Sequence, residues 1–371
     1  MTDKASVGVV KTQYVTFRDD FFFESGRVIS SVTVAYETYG QLNGAKDNAI
    51  LVCHALTGSA HAAGFNREDE QKPGWWDAMI GPGKAFDTDK YFVICSNFLG
   101  SCFGTTGPSS IDPSTGKRYG LKFPVVTIRD MVRLQKRLID YLGIDKLFCV
   151  AGGSMGGMQA LEWGATFPDS TRSILPIASS AHITPMSIAF NAIAKFAIMK
   201  DPRWNGGDYY DDEIPVDGLA IARMAGHITY LSDQAFNNKF GRRFANFEGI
   251  YDFKGMFEVE NYLRYNGYKF TEVFDANTYL YVLKAMDIFD LSYGRGNLEE
   301  ALSAITAKSL FLTFTSDFLF PPYQAEEIVA IMKKQGKETD WVNITSDYGH
   351  DAFLLEFEVQ TGLIKDFLSR V

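Results

Sequence analysis

The sequence predicts an α/β fold: a mostly parallel central sheet with helices on both faces and an inserted helical cap. Three observations lead to this prediction. Short, continuous apolar runs alternate with helix-like segments in the first half of the chain and again near its end. One apolar run enters a helix through a glycine-rich turn that carries a serine. The alternation is interrupted for about 120 residues in between.

The predicted strands are apolar runs bounded by turn residues, after an irregular lead-in over residues 1–28. Apolar residues follow one another in most of these runs instead of alternating with polar ones. That pattern is typical of strands covered on both faces, as in a parallel sheet. The predicted strands are Val32–Tyr39, Ala49–Cys53, 91–95, 146–150, 173–178, 309–314 and 341–344.

Helices are predicted between these strands. The sequence T-x-x-D at 127–130 is a capping box, and the helix that it begins ends before Gly143. Further helices are predicted from the serine turn to about Thr166, over 323–335 and over 353–368.

The long interruption has a different character. Between 182 and 302 apolar residues recur at helical spacing, and no clean strand pattern is visible. Such a block is too long for a crossover between two strands. We therefore predict an α/β catalytic domain made of 1–181 and 303–371, with 182–302 as a helical cap, or lid.

Composition narrows the class of protein. The chain has 371 residues, 46% of them hydrophobic and 22% charged, as is usual for a globular protein. A net charge of −9 argues against nucleic acid or an anionic membrane as partner. There is no apolar run of about 20 residues, and the first residues lack a secretory pattern, so we expect a cytoplasmic protein.

The cysteines indicate neither a disulfide framework nor a metal site. Cys53, Cys95, Cys102 and Cys149 lack C-x-x-C spacing, and three of them lie in apolar, strand-like runs. We expect reduced core residues and no metal.

Residues 152–156 fit the pattern G-x-S-x-G between a predicted strand and a predicted helix. A serine on so tight a turn has a strained backbone, and its glycine neighbours leave room for strand and helix to approach each other. The amides at the start of the helix can stabilise an oxyanion. A glycine-rich turn without chemistry and a phosphate loop are the alternatives, but the flanking elements favour Ser154 as a nucleophile.

A serine hydroxyl needs a base, and in this strand–turn–helix arrangement the order along the chain is serine, acid, histidine. The chain has only five histidines. His54 and His61 precede the serine, and His182 and His227 fall in the predicted cap. His350, on the loop before the last predicted helix, is therefore the candidate base.

The acid that orients this base is expected after the preceding strand, where Asp317 lies. Asp317 could instead cap a helix ahead of Pro321. Asp347 is a rival, but it is too close in sequence to His350 for the usual geometry.

Two backbone N–H groups are needed to hold the oxyanion. One is expected from Met155, directly after the nucleophile, and the other from Leu56, in the loop after the strand Ala49–Cys53. His54 begins that loop, and we expect a structural role for it.

Two charged residues suggest the second substrate. Asp351 follows the candidate base and could hold an amine, whereas Arg223 lies in an apolar cap segment and could bind a carboxylate. Together they would fit a zwitterionic amino acid. From the residues alone, Asp351 as a helix cap and Arg223 in a surface ion pair remain the simpler interpretations.

Several separated motifs, from about Val32 to the C-terminus, resemble those of one family. The chain is similar to the homoserine O-acetyltransferases of the α/β-hydrolase superfamily. The motifs are HALTG at 54–58, GTTGPSSI at 104–111, FPVVTIRDM at 123–131, GGSMGGMQALEW at 152–163, SDFLFPP at 316–322 and GHDAF at 349–353.

The resemblance implies Ser154, Asp317 and His350 as the catalytic triad, with Arg223 and Asp351 as homoserine contacts. It also implies ping-pong O-acylation of L-homoserine on the way to methionine. Acetyl-CoA would be a co-substrate, no cofactor would be bound, and a homodimer would form through the cap. A succinyl donor, a serine acceptor and plain carboxylesterase activity remain alternatives. The sequence departs from the family pattern at Ser101 and at 58–61, near the expected acyl pocket, which leaves the donor open.

Overall fold

The structure is a computed structural model that describes residues 6–246, 251, 253 and 257–371. Its strands are β1 (Gln13–Phe17), β2 (Phe21–Phe22), β3 (Val28–Ile29), β4 (Val32–Tyr39), β5 (Ala49–Cys53), β6 (Ile80–Gly81), β7 (Phe86–Asp87), β8 (Phe92–Ser96), β9 (Cys149–Gly153), β10 (Ser173–Ile177), β11 (Lys308–Phe314) and β12 (Thr339–Ile344). Its α-helices are α1 (Ile128–Tyr141), α2 (Met155–Thr166), α3 (Pro185–Lys200), α4 (Val216–Tyr230), α5 (Asp233–Phe240), α6 (Glu258–Thr271), α7 (Ala276–Asp287), α8 (Leu298–Ser303), α9 (Pro322–Lys334) and α10 (Phe357–Ser369). Short 3-10 helices cover Gly120–Lys122, Pro168–Ser170, Pro202–Gly207 and Gly349–Leu354.

The central sheet has the strand order β1-β4-β8-β5-β9-β10-β11-β12. The six strands from β8 to β12 in this order are parallel to one another, whereas β4 is antiparallel to both of its neighbours. All six parallel strands therefore end at the same edge, which is where ligands bind in such sheets. The predicted fold class is confirmed.

Helices cover both faces of this sheet. In β5, Ala49, Leu51 and Cys53 belong to one hydrophobic cluster, and Ile50 and Val52 belong to another. The first cluster includes residues of α1, α2 and α9, and the second includes residues of α10. Because successive side chains of a strand point to opposite faces, the two clusters are the two cores of the sheet.

Two predicted elements differ from the structure by three residues or more, and others by one or two. The strand predicted at 146–150 lies three residues later, as β9, because Gly152 and Gly153 continue the pairing with β5 and β10 before the chain turns. The helix predicted from 353 is divided. A 3-10 helix over Gly349–Leu354 is followed by α10 from Phe357.

Residues 182–302 contain helices α3 to α8 and no strand in their described part, as the spacing predicted. Helix α4 packs between α3 and α6, around a separate cluster that includes Ile198, Leu219 and Tyr279. Helix α7 also contributes side chains to the core of the sheet. The proposed division into two domains stays a prediction. None of the helices in the described ranges has the length and apolar character that crossing a bilayer requires.

The chain enters and leaves this helical segment at one place. The N–H of Leu291 donates to the carbonyl of Ala181 at 2.9 Å, and His182 forms an antiparallel bridge with Asp290. We call this contact between 181–182 and 290–291 the neck of the cap.

Candidate active site

Ser154 is the only residue between the end of β9 and the start of α2. Its backbone has φ 58° and ψ −125°, a strained conformation for a residue with a side chain. The N–H of Ser154 donates to the carbonyl of Ile177 at 2.9 Å, so β10 holds the turn in place. The sharp reversal puts the hydroxyl at the carboxyl edge of the sheet.

The glycines around Ser154 permit a close approach of α2 to the sheet. A Cβ at Gly156 would overlap the carbonyl of Cys53 at the end of β5, and a Cβ at Gly152 would lie 2.5 Å from the carbonyl of Gly156. A side chain at either glycine would collide with backbone atoms. Backbone atoms cannot move aside as the end of a flexible side chain can, so both positions require glycine, as the sequence pattern predicted.

The structure brings the three predicted triad residues together. Ser154 Oγ lies 2.8 Å from His350 Nε2, and His350 Nδ1 lies 2.7 Å from Asp317 Oδ2. Asp317 and His350 are each 3% exposed. The carboxylate can only accept, so His350 Nδ1 carries a proton and Nε2 is free to accept from the serine hydroxyl. It is Asp317, not Asp347, that contacts His350.

The acid and the base are both held in position by further contacts. Oδ1 of Asp317 accepts hydrogen bonds from the N–H groups of Leu319 and Phe320, each at 2.9 Å. The ring of His350 stacks on Phe320 at a centroid distance of 5.0 Å and packs against Phe353 at 5.4 Å. These contacts orient the imidazole toward Ser154.

The candidate oxyanion donors flank the serine. Met155 is the first residue of α2, and the N–H of a first helical residue has no acceptor within its helix. Leu56 follows β5, which pairs with β9, and it lines the same cavity as Ser154. This arrangement fits the predicted positions for the two N–H groups.

The cavity at Ser154 is small, with a volume of about 40 Å³. The cap helices α3, α4 and α7 and the loop after β11 form most of its wall. The lining residues are mainly apolar and include no lysine or arginine: Leu56, Ser154, Ser187, Phe190, Asn191, Ala194, Gly226, Thr229, Tyr230, Tyr279, Leu283, Met286, Leu319 and Phe320.

Arg223, on α4, lies beside this cavity. Its Nη1 is 3.4 Å from the hydroxyl oxygens of both Thr57 and Tyr230. Its buried Nε has no hydrogen-bond partner among the described residues, and within them no carboxylate forms an ion pair with Arg223. The predicted alternative of an ordinary surface ion pair is therefore wrong. The guanidinium retains N–H groups for an anion.

Asp351 follows His350 in the 3-10 helix Gly349–Leu354. Burial raises the pKa of its carboxyl, while the charges of His350, Arg223 and Lys239 act in the opposite direction. Asp351 is not the N-cap of the final helix, since Glu356 occupies that position. Within the described part of the chain, its carboxylate forms no close ion pair with a lysine, arginine or histidine side chain.

Three of the other histidines have partners different from those of His350. His61 is hydrogen-bonded to Glu37 at 2.9 Å, and His227 lies 3.3 Å from the hydroxyl of Tyr262. Burial, together with the positive charges of Arg223 and Lys239, lowers the pKa of His227 to about 4. His54 packs within its own loop, with Nδ1 at 2.9 Å from the carbonyl of Ala55.

Three contacts of this site were not found in the sequence: those of Thr57, of the Tyr230 hydroxyl and of Phe320. Thr57 and Phe320 lie inside quoted motifs, and Tyr230 is the last residue of α4, seven residues or about two helical turns after Arg223. The spacing of seven residues puts Tyr230 on the face of α4 that carries Arg223. No spacing pattern distinguishes Thr57 and Phe320, because their contacts depend on tertiary packing.

Comparison with known proteins places these features in a family. A model of the α/β-hydrolase fold matches residues 48–357. The homoserine O-acetyltransferase of Deferribacter desulfuricans is 76% identical over 366 residues, which cover 99% of this chain and 97% of that protein. Among solved structures, homoserine O-acetyltransferase from Bacillus anthracis superposes with a TM-score of 0.92 at 33% identity, covering 97% of this chain and 98% of that chain.

Esterase E22 is also similar, with a TM-score of 0.90 at 35% identity, covering 97% of this chain and 100% of that chain. This fold is thus shared by a transferase and an esterase. The sequence match over nearly the full length is to the transferases, and the chain belongs to the homoserine O-acetyltransferase family of the α/β-hydrolase superfamily.

Proposed function

We propose that this protein transfers the acetyl group of acetyl-CoA to the hydroxyl of L-homoserine, a step toward methionine. Membership of the family supports the reaction. The observation that carries the choice of acceptor is the pair Arg223 and Asp351, two opposite charges without ion-pair partners in the described chain, beside the cavity of Ser154. An amino acid brings the complementary carboxylate and ammonium groups.

Acylation comes first in this proposal. His350 Nε2 takes the proton of the Ser154 hydroxyl, and Oγ attacks the thioester carbonyl carbon. The N–H groups of Leu56 and Met155 stabilise the oxyanion of the tetrahedral intermediate. The carbon–sulfur bond then breaks, His350 returns the proton to the departing thiolate, and CoA leaves an acetyl ester on Ser154. Asp317 orients the imidazole and stabilises its charged form throughout.

Transfer to the acceptor repeats these steps in reverse. The homoserine hydroxyl gives its proton to His350 and attacks the acetyl carbonyl, and the ester bond to Ser154 breaks as Oγ recovers the proton. Arg223 holds the acceptor carboxylate, exchanging its long contacts with Thr57 and Tyr230 for charge-assisted hydrogen bonds. Asp351 holds the ammonium group. The apolar cavity wall disfavours water as a competing nucleophile.

The cavity supports acetyl over succinyl as the transferred group. A succinyl group would bring a second carboxylate into a wall whose lining contains no lysine or arginine, and Arg223 beside it is assigned to the carboxylate of the acceptor. Burying a carboxylate without a partner is unfavourable by several kcal/mol, on the order of the desolvation penalty for one ion. Acetyl carries only a methyl group beyond the carbonyl.

Two other activities would use the same triad. Serine as acceptor has the same charged groups but is shorter than homoserine by one methylene, which a pocket discriminates by only about 1–3 kcal/mol. Hydrolysis is favoured by one observation, the similarity to esterase E22. Both are decided by which nucleophile removes the acyl group from Ser154.

A matrix of donors and acceptors tests the proposal. Purified protein is incubated with acetyl-CoA or succinyl-CoA and with homoserine, serine or no acceptor, and products are identified by mass. We expect O-acetylhomoserine as the main product and no turnover by Ser154→Ala, since removing a triad serine lowers kcat by about 10⁶-fold. Equal CoA release with and without homoserine would indicate a hydrolase instead.

We propose further that the protein is a cytoplasmic homodimer formed through the cap. The cysteines described are free, as is usual for a cytoplasmic protein. Helices α3 and α4 expose large apolar side chains, among them Ile193 and Phe196, which are 54% and 60% exposed. Such a face on a soluble protein is typical of an interface. The exposed apolar residues of α3 and α4 are Met186, Ile188, Ile193, Phe196, Met199, Ile221 and Ile228.

A further inference from the structure

The loop of residues 54–58, which we call the oxyanion loop, presents the N–H of Leu56. A peptide unit is planar, so the N–H of Leu56 and the carbonyl of Ala55 move as one body. Whatever holds the carbonyl of Ala55 therefore sets the direction of the N–H of Leu56.

Two donors hold this carbonyl. His54 Nδ1 lies 2.9 Å and the N–H of Gly58 lies 3.0 Å from the oxygen of Ala55. A carbonyl can only accept, so Nδ1 of His54 carries a proton. Donation to the carbonyl end of a peptide unit also polarises its N–H end, which makes it a better donor.

The ring of His54 is fixed by packing. It is 1% exposed and packs against Phe98 at a centroid distance of 4.6 Å, with the two ring planes tilted by 34°. A Cβ at Gly58 would lie 2.9 Å from Cβ of His54, so the loop folds closely over this residue. Burial lowers the pKa of His54 to about 4, against the opposite effect of its bond to Ala55. The ring is therefore neutral under ordinary assay conditions, with Nδ1 as a donor and Nε2 as a weak proton acceptor.

The preceding carbonyl, that of His54 itself, is held from the nucleophile helix. Gln159 on α2 donates from Nε2 to the carbonyl oxygen of His54 at 3.3 Å. Its Oε1 accepts from Nε2 of Gln135 at 2.7 Å, and Oε1 of Gln135 accepts from Nε1 of Trp163 at 2.7 Å.

This chain of hydrogen bonds has a single direction. Trp163 Nε1 can only donate and the carbonyl of His54 can only accept, so the orientations of both glutamine amides between them are determined. Gln135, Gln159 and Trp163 are at most 2% exposed, which removes water as an alternative partner. Gln159 also donates to the carbonyl of Met155 at 3.3 Å, so one side chain joins the two backbone segments that carry the oxyanion donors.

We propose that His54 and Gln159 are positioning residues of the oxyanion hole. His54 aims and polarises the N–H of Leu56, and Gln159 ties the oxyanion loop to the helix that carries Met155 and begins at Ser154. The inference rests on the proposed function in one respect, that Leu56 supplies an oxyanion donor. Neither side chain transfers a proton.

Substitutions at the two residues test this. His54→Phe keeps the packed ring and removes the donor, so kcat should fall by about 10- to 100-fold, less than the 10²–10³-fold loss on deleting a donor outright. His54→Asn restores a donor near the place of Nδ1 and should recover part of the loss. Gln159→Met, similar in shape but without hydrogen bonds, should lower kcat in the same way. The KM for homoserine should stay within about twofold in all three variants.

Two readouts separate positioning from a general loss of structure. The p-nitrophenol burst from p-nitrophenyl acetate reports acylation without an acceptor, and methylboronic acid reports the tetrahedral state as an adduct of Ser154. Its inhibition constant should rise by the factor by which kcat falls. The pH profile of kcat should keep its shape. Ser173→Ala, which removes a buried hydrogen bond to the carbonyl of Phe148 at the amino end of β10, is the control that lowers Tm and leaves both readouts unchanged.

Unchanged kcat in folded His54→Phe and Gln159→Met would overturn the proposal, as would a fall in kcat without any loss of boronate affinity. A changed pH profile would make His54 an acid or base instead. If the wild-type protein shows the burst but does not acetylate homoserine, the proposed acceptor is wrong while the positioning roles are still measured by the burst.

Discussion

Arg223 is supported by aromatic rings and not by a carboxylate. Its Cζ lies 4.6 Å from the ring centroid of Phe270 and 5.4 Å from that of Tyr230. Cation–π contacts of this kind stabilise the charge through the face of the guanidinium and leave its edge, with the N–H groups, for a planar anion. The positive charge is thus placed beside the cavity before any substrate arrives.

We expect Arg223→Ala to raise the KM for homoserine by about 100-fold, since charge-assisted hydrogen bonds to a carboxylate contribute about 1.5–3 kcal/mol. Arg223→Lys should recover only part of this, because an ammonium group cannot form the bidentate fork. Steady-state kinetics with varied homoserine measure both variants. Arg172→Ala, which removes a surface ion pair with Asp47, is the control. An unchanged KM in Arg223→Ala would refute the carboxylate assignment.

Site residues that follow the ends of strands could be predicted from their order along the chain. Residues that meet because of how two helices are turned about their axes could not. Asp317 and His350 follow the ends of successive parallel strands, which must meet at one edge of the sheet. Gln135 and Gln159 meet because of the way in which α1 and α2 are turned about their axes. In the sequence they are two polar residues on otherwise apolar helix faces, with nothing to show that they pair.

Among the elements, the unit of β9, Ser154 and α2 has no room for a side chain at Gly152 or Gly156. Both β9 and α2 contact the end of β5, where the carbonyl of Cys53 faces Gly156. Strained backbone and dense packing coincide, so a small increase in volume at this point displaces the nucleophile and the oxyanion loop together.

Gly156→Ala tests this tightness. The new Cβ meets backbone, so we expect α2 to shift, kcat to fall by at least about 100-fold, and the free energy of unfolding to decrease by about 1–3 kcal/mol, as for other overpacked sites. Urea denaturation and kcat measure the two effects. Gly362→Ala in α10 is the matched control, because no atom lies within 4 Å of its added Cβ. That substitution should stabilise the protein by about 0.5–1 kcal/mol and leave kcat unchanged. An active, stable Gly156→Ala would show that the helix can yield.

The pattern of apolar residues predicts the ends of some strands and helices correctly and those of others incorrectly. Strands β4 and β5 were predicted residue for residue. For β9, the glycines were interpreted as turn, whereas Gly153 still pairs with Ile177. The last helix was predicted as continuous from 353 because the apolar spacing does not record the break that seats His350 in a 3-10 turn.

For the molecule as a whole, two histidines limit stability in acid. Burial lowers the pKa of both His54 and His227 to about 4. Both values lie below that of an unfolded histidine, about 6.5, so the unfolded chain binds protons first as the pH falls. The stability contributed by the neutral rings is complete above about pH 6.5 and is lost on the way to pH 4.

We expect His227→Asn to reduce the loss of unfolding free energy between pH 7 and pH 5 by about 2 kcal/mol, the amount that one such histidine contributes. Denaturant titrations at both pH values measure the difference. His182→Asn, at an exposed position, should leave the loss as in the wild type. An identical loss in His227→Asn would mean that His227 is protonated without disturbing the fold.

The apolar face of α3 and α4 is the proposed dimer interface. We expect Phe196→Asp to convert the dimer into monomers at micromolar concentration, because a carboxylate would be buried in the interface without a partner. Sedimentation velocity measures the change. Phe22→Asp replaces an equally exposed ring on β2, far from this face in the chain, and should leave the dimer intact. A wild-type monomer would refute the proposed interface.

The neck of the cap affects the order in which the chain folds. Strands β10 and β11 are neighbours in the sheet, although about 130 residues separate them in sequence. If the contact of Ala181 with Leu291 forms first, the segment still to be closed shortens to about 20 residues. The entropy of loop closure varies with the logarithm of length, so early formation of the neck lowers the barrier to pairing β10 with β11 by roughly 2 kcal/mol. An inserted segment of this size therefore need not delay completion of the sheet that holds Ser154.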